Sequence, residues 1–228
     1  MNPGARGSAA TEGAPGWQLP RGPHGLPREV VVDHQRQRLL AGAARALAEH
    51  GYAAMSVEHI LVNAGVSRTT FYENFDNKRE CVLAAHEQAF NRLAGELVGA
   101  CAAESQWPAK VAAAIAAAVE FGMRAPDEAL LLVLDAVAAD AVLASRVLAA
   151  NDFLVGLLRN GRERWPSAVD LPELTEPALI GAATSVIGAR LIAGQADRLR
   201  GLEPQLVQLV LMPYLGNEEA RKVAEATP

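Results

Sequence analysis

The sequence predicts an all-α protein, with three short N-terminal helices leading into a larger helical domain. Three observations carry this reading. Ala, Leu, Glu and Arg dominate from Val30 onward. Apolar residues recur at helical spacing, and alternating Val/Ile/Thr strand patterns are absent. The apolar runs are bounded by helix punctuation, with Ser, Asn or Pro at their starts and Gly or Pro at their ends.

Residues 1–27 come first. They hold Gly4, Gly7, Gly13, Gly16, Gly22 and Gly25 together with Pro3, Pro15, Pro20, Pro23 and Pro27, a density of breakers that predicts a disordered tail. The first helix is expected from Asp33 to His50, with Leu40, Ala43, Ala44 and Leu47 on one face and Gly51 behind it as a C′ residue. The second starts after Ser56, an N-cap preceded by Met55, which can staple onto Ile60. Val57, Ile60, Leu61 and Ala64 make its apolar stripe, and Gly65 ends it. Ser67 then caps a third helix, Arg68 to Asn74, with Val66 placed to staple onto Phe71. Asn77 can cap a long fourth helix reaching Ala100, with Glu80 in capping-box position. Further helices are expected from Pro108 to Arg124, after Pro126, from Asp140 to Arg164, from Glu176 to Leu199 and from Glu203 to Tyr214. The division that follows is a three-helix unit over 28–80, a helical domain over 81–216 and a polar tail over 217–228.

Composition narrows the function. The chain has 228 residues, half of them apolar, and a formal charge of −5. That balance argues against coating nucleic acid along the whole length but leaves room for one locally basic face. No apolar run reaches the length of a membrane span; "VAAAIAAAVEFGM" is short and interrupted by Glu120. No signal peptide is visible, so a cytoplasmic protein without a membrane partner is expected. Cys81 and Cys101 form no CxxC pair, and His24, His34, His50, His59 and His86 show no ligand spacing, so neither a metal nor a cofactor is expected. GxSxG, HExxH, P-loop and GxGxxG patterns are missing, which leaves no enzyme reading.

The chemistry concentrates in "AGVSRTTFYENFDNKRE", residues 64–80. Two short helices joined by a turn with glycine describe a helix-turn-helix. Ile60, Ala64, Val66, Phe71 and Phe75 suit the inner faces that lock the angle. Ser67, Arg68, Thr69, Thr70, Tyr72 and Asn74 suit an outward face able to enter a major groove about 12 Å wide. Arg68 can fork onto a guanine edge, and Thr69 can bond a base or pack on a thymine methyl. The hydroxyls of Thr70 and Tyr72 can reach phosphates, and Ser67 with the free N–H groups at the helix start suits a phosphate oxygen. Lys78 puts a charge where the DNA backbone would pass.

This stretch resembles the helix-turn-helix signature of the TetR/AcrR family of bacterial transcriptional regulators. Gly65, Val66, Ser67, Phe71, Tyr72, Phe75 and Lys78 match it, and the upstream "ALAEHGYAAMSVEHILVNAGV" fits the family's first two helices. The resemblance implies phosphate contacts from Ser67, Thr70, Tyr72 and Lys78 and base reading by Arg68 and Thr69. Ser56 stands where many relatives have Thr and joins the DNA-facing set. Glu58 and His59 depart from the pattern, since a carboxylate near DNA repels unless it turns away or accepts from a cytosine amino group.

The resemblance also implies a C-terminal domain that binds a small effector and pairs two subunits, the pocket lying among the middle helices. Phe90, Phe121, Asp135, Phe153 and Arg190 are the candidate ligand contacts, and the alanine-rich stretch 111–118 leaves space beside them. An apolar effector is expected. Pairing has support in the residues themselves: small Gly181, Ser185 and Gly188 lie near Ile192 in one helix, and Leu206, Leu209 and Val210 in the next, the makings of a four-helix interface. The expected function is a homodimeric repressor released from a palindromic operator in double-stranded DNA by that effector. The alternatives are an activator, or a helical protein–protein adaptor that keeps the fold without binding DNA.

Overall fold

A computed structural model describes residues 28–133, 141–160, 165, 168 and 170–226. The expected tail over 1–27 and the candidate Asp135 lie outside these residues. The described chain is helical, with no strand among the described residues: α1 (Arg28–Ala54), α2 (Val57–Ala64), α3 (Arg68–Asn74), α4 (Lys78–Ala103), α5 (Trp107–Arg124), α6 (Pro126–Val133), α7 (Ala141–Arg159), α8 (Thr175–Ile192), α9 (Glu203–Leu215) and α10 (Asn217–Ala226). Two single 3₁₀ turns, Ala196–Arg198 and Arg200–Leu202, join α8 to α9.

The N-terminal unit forms where the punctuation places it. Ser56, Ser67 and Asn77 cap α2, α3 and α4, each accepting from the backbone N–H three residues on. Met55 and Ile60 are both buried in the same cluster. Gly51, at φ 68°, breaks α1 from a last short turn. Two details differ from the sequence reading. The capping box of α2 is closed by the His59 imidazole, which accepts from the Ser56 N–H at 3.4 Å. Glu80 reaches back one residue further than the box requires, accepting from the Asp76 N–H at 2.8 Å.

α1 and α2 cross at a backbone-to-backbone approach. A Cβ on Gly42 would stand 2.8 Å from the Ala64 Cβ and N and 2.9 Å from the Ile60 carbonyl. Only a residue without a side chain lets α2 lie this close. At the other end of α2, Gly65 takes the left-handed conformation (φ 60°, ψ 39°) that L side chains avoid, and Arg38 Nη2 donates to its carbonyl at 2.7 Å.

The apolar interior divides into three clusters. The first joins α1, α2, α3 and the first half of α4 (Cys81, Val82, Ala85, Ala89), and it takes in Leu131 of α6 and Leu143 of α7. The other two lie mainly among α5 to α10, and Leu93 of α4 packs against one of them. α4 therefore belongs to both parts of the molecule. Buried Glu176 of α8 accepts from the Tyr214 hydroxyl of α9 at 2.8 Å, tying the C-terminal helices together.

Three expectations change in this half. α8 stops at Ile192 instead of Leu199, because Gly194 turns to φ 67° and the Gln195 N–H caps the Arg190 carbonyl at 2.9 Å. Residues 217–226 form α10 in place of a polar tail, with Ala220 and Ala224 buried and Val223 packed beside them, an apolar stripe that mostly polar composition hides. α7 is long and apolar enough to cross a membrane by length and composition alone. In this fold Leu143, Val147, Ala150, Val155 and Leu158 are buried, while Arg146 and Asp152 face solvent together with Val142 and Leu148.

The Gly42 crossing gives a stability prediction. Alanine gains about 1 kcal/mol in helix propensity over glycine, but clashes with backbone atoms cost about 1–3 kcal/mol. Gly42→Ala is expected to lower stability in chemical denaturation by up to about 2 kcal/mol. Gly95→Ala, in α4 with nothing within 4 Å, is expected to raise it.

Candidate nucleic-acid interface and ligand cavity

α3 divides cleanly between core and surface. Phe71 and Phe75 are buried, their ring centroids 5.9 Å apart, with the Arg36 guanidinium 4.7 Å over the Phe75 ring. Ser67, Arg68, Thr69 and Tyr72 are exposed, as is Ser56 at the head of α2. Tyr72 is half exposed in area and meets the edge of Phe71 at 5.3 Å, so its ring is held while its surface stays open. The structure thus assembles a small polar face from residues that the sequence marked for DNA.

Local bonds constrain what each residue offers. The Ser67 hydroxyl accepts from the Thr70 N–H at 3.0 Å and shares a hydrogen bond with the Thr70 hydroxyl at 2.9 Å. Asn74 turns its amide back to donate to the Thr70 carbonyl at 2.8 Å and is half-buried. Arg68 donates to Glu58 at 2.8 Å across the two helices, both side chains well exposed. Glu58 therefore does turn toward the reading face, as the partner of its main candidate base reader.

Lys78 differs most from its expected place. Its ammonium is half-buried and donates to the carbonyls of Tyr52 and Met55 at 2.9 and 2.8 Å, 4.8 Å over the Tyr52 ring. Those carbonyls close the turn between α1 and α2, where helical partners run out. The charge sits where the sequence put it, but it points inward to hold the unit together.

A second feature lies in the C-terminal half, a cavity of about 370 Å³. α4 contributes Leu97 and Cys101, α5 residues between Trp107 and Ala118, α7 Leu154, Leu157 and Leu158 with Asn160 just past its end, α8 residues between Ile180 and Ile187, and α9 Leu206 and Val210. The alanine-rich stretch supplies Val111, Ala114, Ile115 and Ala118, so the expected space is there. The candidate contacts are elsewhere: Phe121 is buried in a neighbouring cluster, Phe90 and Phe153 meet edge to face at 5.7 Å, and Arg190 is tied to Gln195 at 2.9 Å. None of these four lines the cavity.

The candidate pairing residues also divide. Gly181, Ser185 and Ile192 are exposed on α8, aligned with exposed Ala178, Ala182, Val186 and Ala189. Leu209 is half-buried. Gly188, Leu206 and Val210 are buried inside the chain itself, Gly188 against Val133 and the other two beside the cavity.

Residues 39–85 match the sequence model of the bacterial regulatory proteins of the tetR family. The N-terminal unit is thus similar to the DNA-binding domain of that family. The whole fold agrees with solved members of that type. The fatty acid degradation regulator FadR from Bacillus halodurans matches at TM-score 0.67 and 20% identity, covering 77% of this chain and 97% of its own. A TetR-like transcriptional regulator from Rhodococcus matches at 0.65 and 21%, covering 82% and 97%. FadR from Bacillus subtilis, solved in complex with stearoyl-CoA, matches at 0.65 and 18%, covering 79% and 98%. No sequence among curated proteins matches this one.

Arg38 and Glu58 are the site residues that sequence spacing did not single out for these roles. Arg38 acts 27 residues away along the chain, on a carbonyl, and no local pattern signals that.

The position of Lys78 can be tested against a phosphate role. Lys78→Met removes two hydrogen bonds from a charged donor, each worth about 1.5–3 kcal/mol at most. The expected outcome is a melting temperature several degrees lower, with little change in the salt dependence of DNA binding. A phosphate contact would instead reduce that slope by about one.

Proposed function

We propose that this chain is a homodimeric repressor that binds a near-palindromic operator through two α3 helices and leaves it when an apolar effector fills the cavity. One observation carries the reading: α3 buries Phe71 and Phe75 and presents Ser67, Arg68, Thr69 and Tyr72 together on an open surface. A helix so divided can enter a major groove, with dimer symmetry setting a second copy one helical turn along the DNA. Arg68 reads a base, released from or shared with Glu58, and Thr69 packs beside it. Ser67, Tyr72 and the first N–H groups of α3 take phosphate oxygens. Thr70 and Ser56 support the same strand, and Asn74 and Lys78 hold the frame.

The exposed stripe of α8 supports pairing through Gly181, Ser185 and Ile192, with Leu209 at its margin; small residues there let two copies approach closely. The cavity supports effector control, because α4 touches it at one end and begins the DNA-binding core at the other. The stearoyl-CoA held by the Bacillus subtilis neighbour supports an effector with a large apolar part. Such a protein works in the cytoplasm, where its operator is.

Anisotropy titrations with DNA from upstream of its own gene test this. The expected result is binding that saturates at two chains per site and weakens steeply with salt. Arg68→Ala is expected to lose about tenfold or more in discrimination at one or two base pairs, while affinity for unrelated DNA changes less. Glu58→Gln is expected to act the other way, tightening binding to unrelated DNA roughly threefold to tenfold, because the carboxylate no longer repels phosphates or occupies Arg68. An Arg68→Ala protein with unchanged base preference would exclude the base-reading role.

A further inference from the structure

The cavity holds one charged side chain among its described lining residues, and that side chain is a cation. Lys110 of α5 is half-buried, and its ammonium donates to the Cys101 carbonyl at 3.2 Å. No carboxylate pairs with it among the described residues, although Arg92, Arg124 and Arg200 nearby in the fold each hold a glutamate. An ammonium has three donors, and a half-buried cation beside an apolar wall is costly to leave without an acceptor.

Among the other polar groups of the wall, the buried Trp107 Nε1–H also lacks a hydrogen-bond partner, and the rest are matched or exposed. The Thr184 hydroxyl is turned to the carbonyls of Ile180 and Gly181 at 2.8 and 3.2 Å. The Cys101 thiol donates to the Lys110 carbonyl at 3.5 Å, and burial raises its pKa, so it stays protonated and uncharged. Asn160 is exposed. The remaining wall is aliphatic or small, with Trp107 at the Lys110 end of α5.

We propose that the cavity takes a molecule with an apolar body and a single carboxylate head, the head seated on Lys110. This rests on the effector reading above and narrows it from an apolar effector to an anionic amphiphile. The apolar body replaces water along Val111, Ile115 and Ile187. The carboxylate takes the ammonium donors that the protein leaves unmatched, at the junction of α4 and α5. Charge at that junction also bears on α4 directly, since Lys110 already holds the carbonyl of Cys101 near the end of α4.

Calorimetric titration of the full chain without DNA tests the assignment, with decanoate, decan-1-ol and decanoyl-CoA as probes. Decanoate is expected to bind the natural chain about tenfold or more tighter than decanol. Lys110→Met is expected to bring decanoate down to the level of decanol while leaving decanol unchanged, and Lys110→Arg is expected to keep the preference. Ala118→Leu, which fills the cavity without touching the head-group site, is expected to weaken both, with helical content by circular dichroism confirming the fold of each variant. Equal binding of decanol and decanoate leaves the effector site standing and overturns the head-group assignment. Tight decanoyl-CoA without decanoate binding places the anionic group outside the cavity and overturns it too. If no probe binds, the cavity fails as an effector site and the proposal fails with it. The DNA titrations are independent of all three results.

Discussion

Two buried-side hydrogen bonds from Lys78 hold the geometry on which the rest depends. The carbonyls of Tyr52 and Met55 lie at the short turn that ends α1, and carbonyls at a packed turn are costly to leave without donors. The Lys78 ammonium satisfies both and covers the Tyr52 ring. Arg38 does the same for the Gly65 carbonyl at the turn between α2 and α3. The two turns that join α1, α2 and α3 are thus each closed by a cation from a helix. The angle of α3 follows from those two closures together with the Gly42 approach and the burial of Phe71 and Phe75.

Because Lys78 is also the first residue of α4, the same contact fixes one end of a rod. At 26 residues, α4 runs about 39 Å. Its start shares a core with α1, α2 and α3, and its last turns reach Leu97 and Cys101 on the cavity wall. Along the way Arg92 grips Glu128 of α6 and Glu96 accepts from Arg124 of α5, both at 2.6 Å. These are exposed pairs worth little individually, so they guide α4 without locking it. Under the proposed function, a ligand changes DNA affinity only by the difference between its contacts in two placements of this rod. The structure supplies the shared element that such a difference needs.

Local features were legible in the sequence, and long-range ones were not. Ser56, Ser67 and Asn77 act as caps because capping is decided within three residues, and Gly65 turns left-handed because the next helix demands it. The direction of Lys78 was hidden, since its acceptors stand 23 and 26 residues upstream. The cavity was legible only as the absence of bulk at Ala114 and Ala118. The large residues nominated for it failed for the same reason: Phe121 has the area to be worth burying and is packed away, and Phe90 and Phe153 satisfy each other. A space is lined by what is left after such residues have packed. Leu206 and Val210 show the converse, since apolar residues at helical spacing look alike whether they face a partner or their own core.

The acid balance of the chain then has a local explanation. Arg38 and Lys78 hold internal carbonyls, and Arg68 is matched by Glu58, so few cations near α3 present an uncompensated charge to solvent. Unspecific attraction to DNA scales with the phosphates neutralised, and a face built this way attracts unrelated sequences weakly. What remains is geometry: backbone N–H groups at the head of α3, hydroxyls at Ser67 and Tyr72, and one exposed guanidinium paired with a carboxylate 2.8 Å away. An arginine so paired forfeits some contact with any phosphate that passes. Under the proposed function, it exchanges its partner profitably only where a base edge offers two acceptors in the right place, and that is the property a reader of sequence requires.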